Sequence, residues 1–94
     1  VSDIIPQVFD VILDRRANPK PGSYTNQLFS QGEDEIVKKI GEEAVEVILA
    51  VKGQGDERVI SELADLTYHC LVLLAQRGLT PDDIAAELRR RYHP

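Results

Sequence analysis

The sequence contains a single cysteine, Cys70, and only two histidines, His69 and His93. One cysteine cannot build an intramolecular disulfide framework or a thiolate zinc site. At helical spacing among leucines it reads as a small core residue. Two histidines are too few for the paired Glu-x-x-His sets of a di-iron bundle, and His69 follows Asp65 by four and Glu62 by seven, the wrong spacing for that motif. No apolar run approaches the roughly 18 to 20 residues of a membrane span, and no basic segment followed by a hydrophobic stretch and cleavage site opens the chain, so a cytoplasmic protein is expected. Positive charge is also scarce: 11 basic against 16 acidic side chains give a net charge of −5. The resulting field repels phosphate backbones and anionic lipid, which argues against nucleic-acid and membrane partners. Internal repeats, low-complexity tracts and period-two alternation are missing too, which removes solenoids and sheets from consideration.

The 94 residues, 43% apolar and 29% charged, suit one globular domain over residues 1–94. The punctuation predicts an all-α bundle of four to five helices. A first helix runs from about Asp3 to Arg16, with Pro6 in its first turn, and Pro19, Pro21 and Gly22 break it. Ser23 to Gly32 reads as a polar loop or short helix. A long helix from Glu33 to Lys52 begins with acidic residues, as its dipole prefers, and stops at Gly53-Gln54-Gly55. Another spans Asp56 to Arg77, and Thr80-Pro81-Asp82-Asp83 then caps a last helix that ends near Tyr92.

The Glu33–Lys52 helix carries an apolar stripe of Ile36, Val37, Ile40, Ala44, Val47, Ile48 and Val51, which is its expected core face. Glu42, Glu43 and Glu46 flank that stripe, with Lys39 between them. The Asp56–Arg77 helix is apolar around most of its circumference and should be the most buried, yet Glu62, Asp65, His69 and Gln76 share one narrow strip of it. Acidic groups on a buried helix are costly unless a cation or partner neutralises them. An antiparallel hairpin across Gly53-Gln54-Gly55 would bring Glu43 and Glu46 level with Glu62 and Asp65. Converging carboxylates with no balancing arginine on those strips describe a site for a hard cation, Mg²⁺ or Mn²⁺. The bland reading of each glutamate is a solvated helix face. His69 reads either as a hydrogen-bonding support for the site or as a satisfied structural histidine.

Glu42-Glu43-x-x-Glu46 followed by Glu62-x-x-Asp65 resembles the signature of the all-α, MazG-like nucleotide pyrophosphohydrolases. The wider run Ser23-Tyr24-Thr25-x-x-Leu28-Phe29-x-x-Gly32, Lys38-Lys39-Ile40-Gly41-Glu42-Glu43 and Ala64-Asp65-Leu66-x-Tyr68-His69 resembles the phosphoribosyl-ATP pyrophosphohydrolases of histidine biosynthesis. One departure is Glu35, where that family often has a basic residue. The resemblance implies Mg²⁺-dependent hydrolysis of phosphoribosyl-ATP between its α and β phosphates, giving phosphoribosyl-AMP and pyrophosphate. It implies Glu43, Glu46, Glu62 and Asp65 as metal ligands. Glu42 would orient or deprotonate the attacking water, or else complete the metal shell. Lys39, with Lys38, would neutralise the leaving pyrophosphate, unless both are ordinary surface cations. The Ser23, Tyr24 and Thr25 hydroxyls suit phosphate or ribose contacts, with Tyr24 alternatively packing on the core. Arg89, Arg90 and Arg91 either reach a phosphate from a neighbouring subunit or compensate a helix C-terminus. The alternatives are a house-cleaning nucleoside triphosphate pyrophosphohydrolase and a non-catalytic dimerisation module. Val45 and Leu49, off the main stripe, together with the greasy Asp56–Arg77 helix, predict a homodimer, with a higher oligomer also open.

Overall fold

Glycine and proline set where each helix of this chain ends. The computed structural model describes residues 3–93 and contains five helices: α1 (Ile4–Ala17), α2 (Tyr24–Gln31), α3 (Glu33–Gly53), α4 (Asp56–Gln76) and α5 (Pro81–Tyr92). Among the described residues there is no strand. The segment left open as loop or short helix is the helix α2. Ser23 caps it, its hydroxyl accepting from the Asn26 amide at 3.3 Å. Gly32, at φ 96°, lets α3 follow α2 with no further linker, and Gly55, at φ 85°, closes the two-residue turn between α3 and α4. At the start of α5 the Thr80 amide donates to the Asp83 carboxylate at 2.9 Å, with Pro81 in the first helical position.

Helices α3 and α4 form an antiparallel hairpin, and this is the main packing in the molecule. Helices α1 and α2 close over one end of it. The core therefore gathers Phe9 and Ile12 of α1, Leu28 of α2, Ile36 from the start of α3, and Leu71, Val72 and Ala75 from the end of α4. Arg16 of α1 lies over the Phe29 ring and donates to the Ala75 carbonyl, tying α1 and α2 to the last turn of α4. As expected, α4 has more buried positions than any other helix. No described helix is long and apolar enough to cross a membrane.

Three expected core positions of α3 are instead exposed: Val37 (45%), Ile48 (57%) and Val51 (64%). They lie on the azimuth the periodicity picked out, but the core that α1 and α2 build lies at the other end of the hairpin from Ile48 and Val51, and among the described residues nothing covers those two. Ala50, which faces α4, is fully buried. Cys70 is likewise exposed rather than in the core. It lines an apolar groove of about 450 Å³ between α4 and α5, together with Leu66, Leu74, Ile84 and Leu88, and partial burial there pushes its thiol above the ordinary cysteine value.

Candidate active site

The hairpin turn lies midway between Glu43 and Asp65 in sequence, so folding α3 back on α4 places these two carboxylates at the same height. Glu62, one turn earlier on α4, joins them. Each of Glu43, Glu62 and Asp65 offers a carboxylate oxygen, and these oxygens lie within 4.8 Å of one another. Glu62 is buried, Glu43 half-buried and Asp65 exposed, so the cluster opens to solvent on the Asp65 side.

This geometry is electrostatically tense. The Glu43 carboxyl is pushed above its ordinary value, first by burial and then by repulsion from Asp65 and Glu62, with His69 and Lys39 opposing. Lys39, one turn before Glu43, sits 4.0 Å from the Glu43 carboxylate and 3.4 Å from Glu42. Burial pulls its ammonium down, but attraction to Tyr24, Glu42 and Glu43 holds it above the usual lysine value. Three oxygen donors of one sign, drawn together in a partly desolvated place, have the donor chemistry of a hard divalent cation rather than of zinc.

The remaining expected residues divide. Glu46 is exposed and stands outside the three converging carboxylates. Glu42 is exposed and paired with Lys39. Lys38 is a surface cation 3.9 Å from Glu35, so the acidic residue that departs from the family pattern gives Lys38 a partner on its own helix. Ser23 is occupied as the cap of α2. Thr25 is buried, its hydroxyl on that of Tyr68.

Tyr24 reaches the site. Its hydroxyl lies 2.8 Å from His69 Nε2, while His69 Nδ1 lies 2.8 Å from the Asp65 carbonyl. A carbonyl can only accept, so Nδ1 donates to it, and Nε2 pairs with the Tyr24 hydroxyl. His69 is buried with both nitrogens satisfied, packed edge-on against Tyr24 and Tyr68. It thereby ties α2 to the turn of α4 that carries Asp65. The Tyr24 hydroxyl is held above its ordinary value by burial, which Lys39 offsets and nearby Glu43 reinforces.

The expectation that no arginine balances these strips is corrected. Arg58 Nη2 donates to Glu62 Oε1 at 2.7 Å, one helical turn away. The i, i+4 spacing on α4 was the signal for it.

The sequence matches the phosphoribosyl-ATP pyrophosphohydrolase family over residues 5–92. It is 57% identical over 89 residues to a phosphoribosyl-ATP pyrophosphatase of Pelotomaculum thermopropionicum, covering 95% of this chain and 91% of the relative. It is 49% identical over 90 residues to the phosphoribosyl-ATP pyrophosphatase of Sulfurisphaera tokodaii, covering 96% of each. A histidine biosynthesis bifunctional protein of Oceanobacillus iheyensis is 51% identical over 89 residues, which are 95% of this chain and 41% of that protein.

Proposed function

The chain belongs to the phosphoribosyl-ATP pyrophosphohydrolase family, and from that membership we propose that it hydrolyses phosphoribosyl-ATP to phosphoribosyl-AMP and pyrophosphate, an early step of histidine biosynthesis. The observation that carries the reading is the convergence of Glu43, Glu62 and Asp65 from two helices. An acidic protein can approach a polyphosphate only across a bridging cation. Mg²⁺, or Mn²⁺ in its place, would supply that bridge and polarise the phosphate oxygens. Glu43, Glu62 and Asp65 would hold it, and Glu46, one turn beyond Glu43, would be the fourth carboxylate.

Around that site, Lys39 is poised to neutralise the charge that develops on the leaving pyrophosphate, with Lys38 further out on the same helix. Glu42, whose carboxylate lies 3.4 Å from the Lys39 ammonium, would orient or deprotonate the attacking water, or else complete the metal shell. Tyr24, paired with His69 beside the carboxylates, is the hydroxyl that would contact ribose or phosphate. Ser23 and Thr25 contribute by holding α2 in place.

We further read the protein as a cytoplasmic homodimer. Val45, Ile48 and Leu49 of α3 and Ile60 and Leu63 of α4 are exposed on the uncovered part of the hairpin. A second copy laid against that part would bury them, each full burial being worth about 1.5 to 3 kcal/mol.

Pyrophosphate release measured with phosphoribosyl-ATP and with a panel of nucleoside triphosphates, with Mg²⁺ and with EDTA, tests the reading. The expected result is Mg²⁺-dependent turnover that strongly favours phosphoribosyl-ATP. Equal rates across the panel, or undiminished turnover in EDTA, would overturn it.

A further inference from the structure

Two of the three converging carboxylates already have a cation of their own. Glu43 has Lys39 at 4.0 Å, and Glu62 has Arg58 at 2.7 Å, while Asp65 faces solvent. The Arg58–Glu62 pair is lopsided. The Glu62 side chain is 7% exposed and that of Arg58 is 51% exposed. A nearly buried carboxylate is thus neutralised by a guanidinium that reaches it from the surface.

Such an arginine can act in two opposite ways. It can orient Glu62 toward a metal ion, strengthening the site, or it can occupy Glu62 in the ion's place, weakening it. A group that orients a ligand must itself be held. Among the described residues, Glu62 is the only hydrogen-bond or ion-pair partner of Arg58, through one nitrogen, and half of the side chain is in solvent. Nothing fixes the arginine, so it cannot fix the glutamate. Its positive charge, 2.7 Å from a carboxylate oxygen of the cluster, opposes the approach of a dication.

We propose that Arg58 is a resident counter-cation at Glu62 that stabilises the metal-free site and competes with the divalent ion for that carboxylate. The proposal rests on the reading of Glu43, Glu62 and Asp65 as the cation site. It makes binding of the bare ion weak. A guanidinium released from Glu62 would then stand at the mouth of a site whose substrate is a polyanion.

The test is Mn²⁺ binding to the whole protein without substrate, followed by the electron paramagnetic resonance signal of unbound Mn²⁺, in the parent, Arg58→Gln, Arg58→Lys and Glu43→Gln. Losing a half-exposed ion pair should tighten Mn²⁺ binding in Arg58→Gln by roughly three- to tenfold. Arg58→Lys should fall between that variant and the parent, because a shorter, strongly hydrated ammonium competes less well. In EDTA, Arg58→Gln should melt below the parent, since Glu62 then lacks its counter-cation. A structural role for Arg58 would weaken Mn²⁺ binding instead. If Arg58→Gln bound Mn²⁺ no tighter than the parent while Glu43→Gln lost binding, the competition would be refuted with the cation site intact. If neither the parent nor Arg58→Gln bound Mn²⁺, the site reading would fall and the role of Arg58 with it.

Discussion

Glu43→Gln replaces the half-buried member of the carboxylate cluster by a neutral group of the same shape. At an effective dielectric of about 20, two like charges 4.8 Å apart repel by about 3.5 kcal/mol, and an opposite charge at 4.0 Å attracts by about 4 kcal/mol. Glu43 faces two like charges, Asp65 and Glu62, against the opposing pull of His69 and Lys39. The Coulomb part therefore nearly cancels, and burial of the carboxylate is left as the main penalty. With Asp65 open to solvent, a stabilisation of about 1 kcal/mol is expected for the metal-free variant near pH 8. In a chain of this size that is a rise of about 4 to 8 °C in melting temperature. The pH dependence fixes the sign. The folded-state value of Glu43 is raised, so the penalty is absent below the ordinary carboxylate range and appears as pH climbs through the raised value. The gap between variant and parent should widen over that interval and vanish in acid. Millimolar Mg²⁺ should raise the melting temperature of the parent, because it binds the folded site only, and should leave Glu43→Gln nearly unmoved. Thermal melts at fixed protein concentration, in EDTA and in Mg²⁺ from pH 4 to 8, provide the check. A variant that melts below the parent at pH 8 in EDTA, or that keeps the full Mg²⁺ increment, would refute the reasoning.

Asp65→Asn and Glu46→Gln are both expected to lose most turnover in a pyrophosphate-release assay and to shrink the Mg²⁺ increment in melting; near-parental activity in both would mark these carboxylates as a solvated face. Tyr24→Phe leaves His69 Nε2 without its partner, which should lower stability by about 1 kcal/mol, read from urea unfolding, and slow turnover through the α2–α4 link. Ile48→Glu puts a charge on the uncovered part of the hairpin and should shift the sedimentation coefficient toward that of a 10.5 kDa monomer. An unchanged dimer would place the interface elsewhere.

The sequence was legible wherever chemistry is local. Pro19, Pro21 and Gly22 end α1, the Gly53–Gly55 turn makes the hairpin, and Thr80 with Asp83 starts α5, because each acts through its own backbone. The meeting of Glu43 with Glu62 and Asp65 follows from the turn and the helical repeat, both of which the sequence carries. Less readable was which faces would be covered. Periodicity gives Ile48 and Val51 their azimuth on α3 but says nothing of how far α1 reaches along the hairpin, and the same gap misplaced Cys70. Ser23 is a case where one residue type fits two roles, since a hydroxyl suited to phosphate also suits a helix cap. Arg58 could have been found, as its spacing from Glu62 is that of a standard helical ion pair.

The core of this molecule occupies one end of the α3–α4 hairpin, and the carboxylates sit further along it, toward the turn. Beyond Ile36 and Leu71 the two long helices meet through half-buried side chains, among them Ile40, Ala44, Val47, Val59 and Leu66, with buried Ala50 and the converging Glu43, Glu62 and Asp65. A divalent ion at that point would act as a rivet through two beams, adding a polar fastening to the thinner, half-buried part of the hairpin. Local opening is set by the nearest fastening, so amide protons between Val47 and Ile60 should exchange fastest in the metal-free protein and slow most when the ion binds. Catalytic loading and mechanical stiffening of the hairpin would then be the same event.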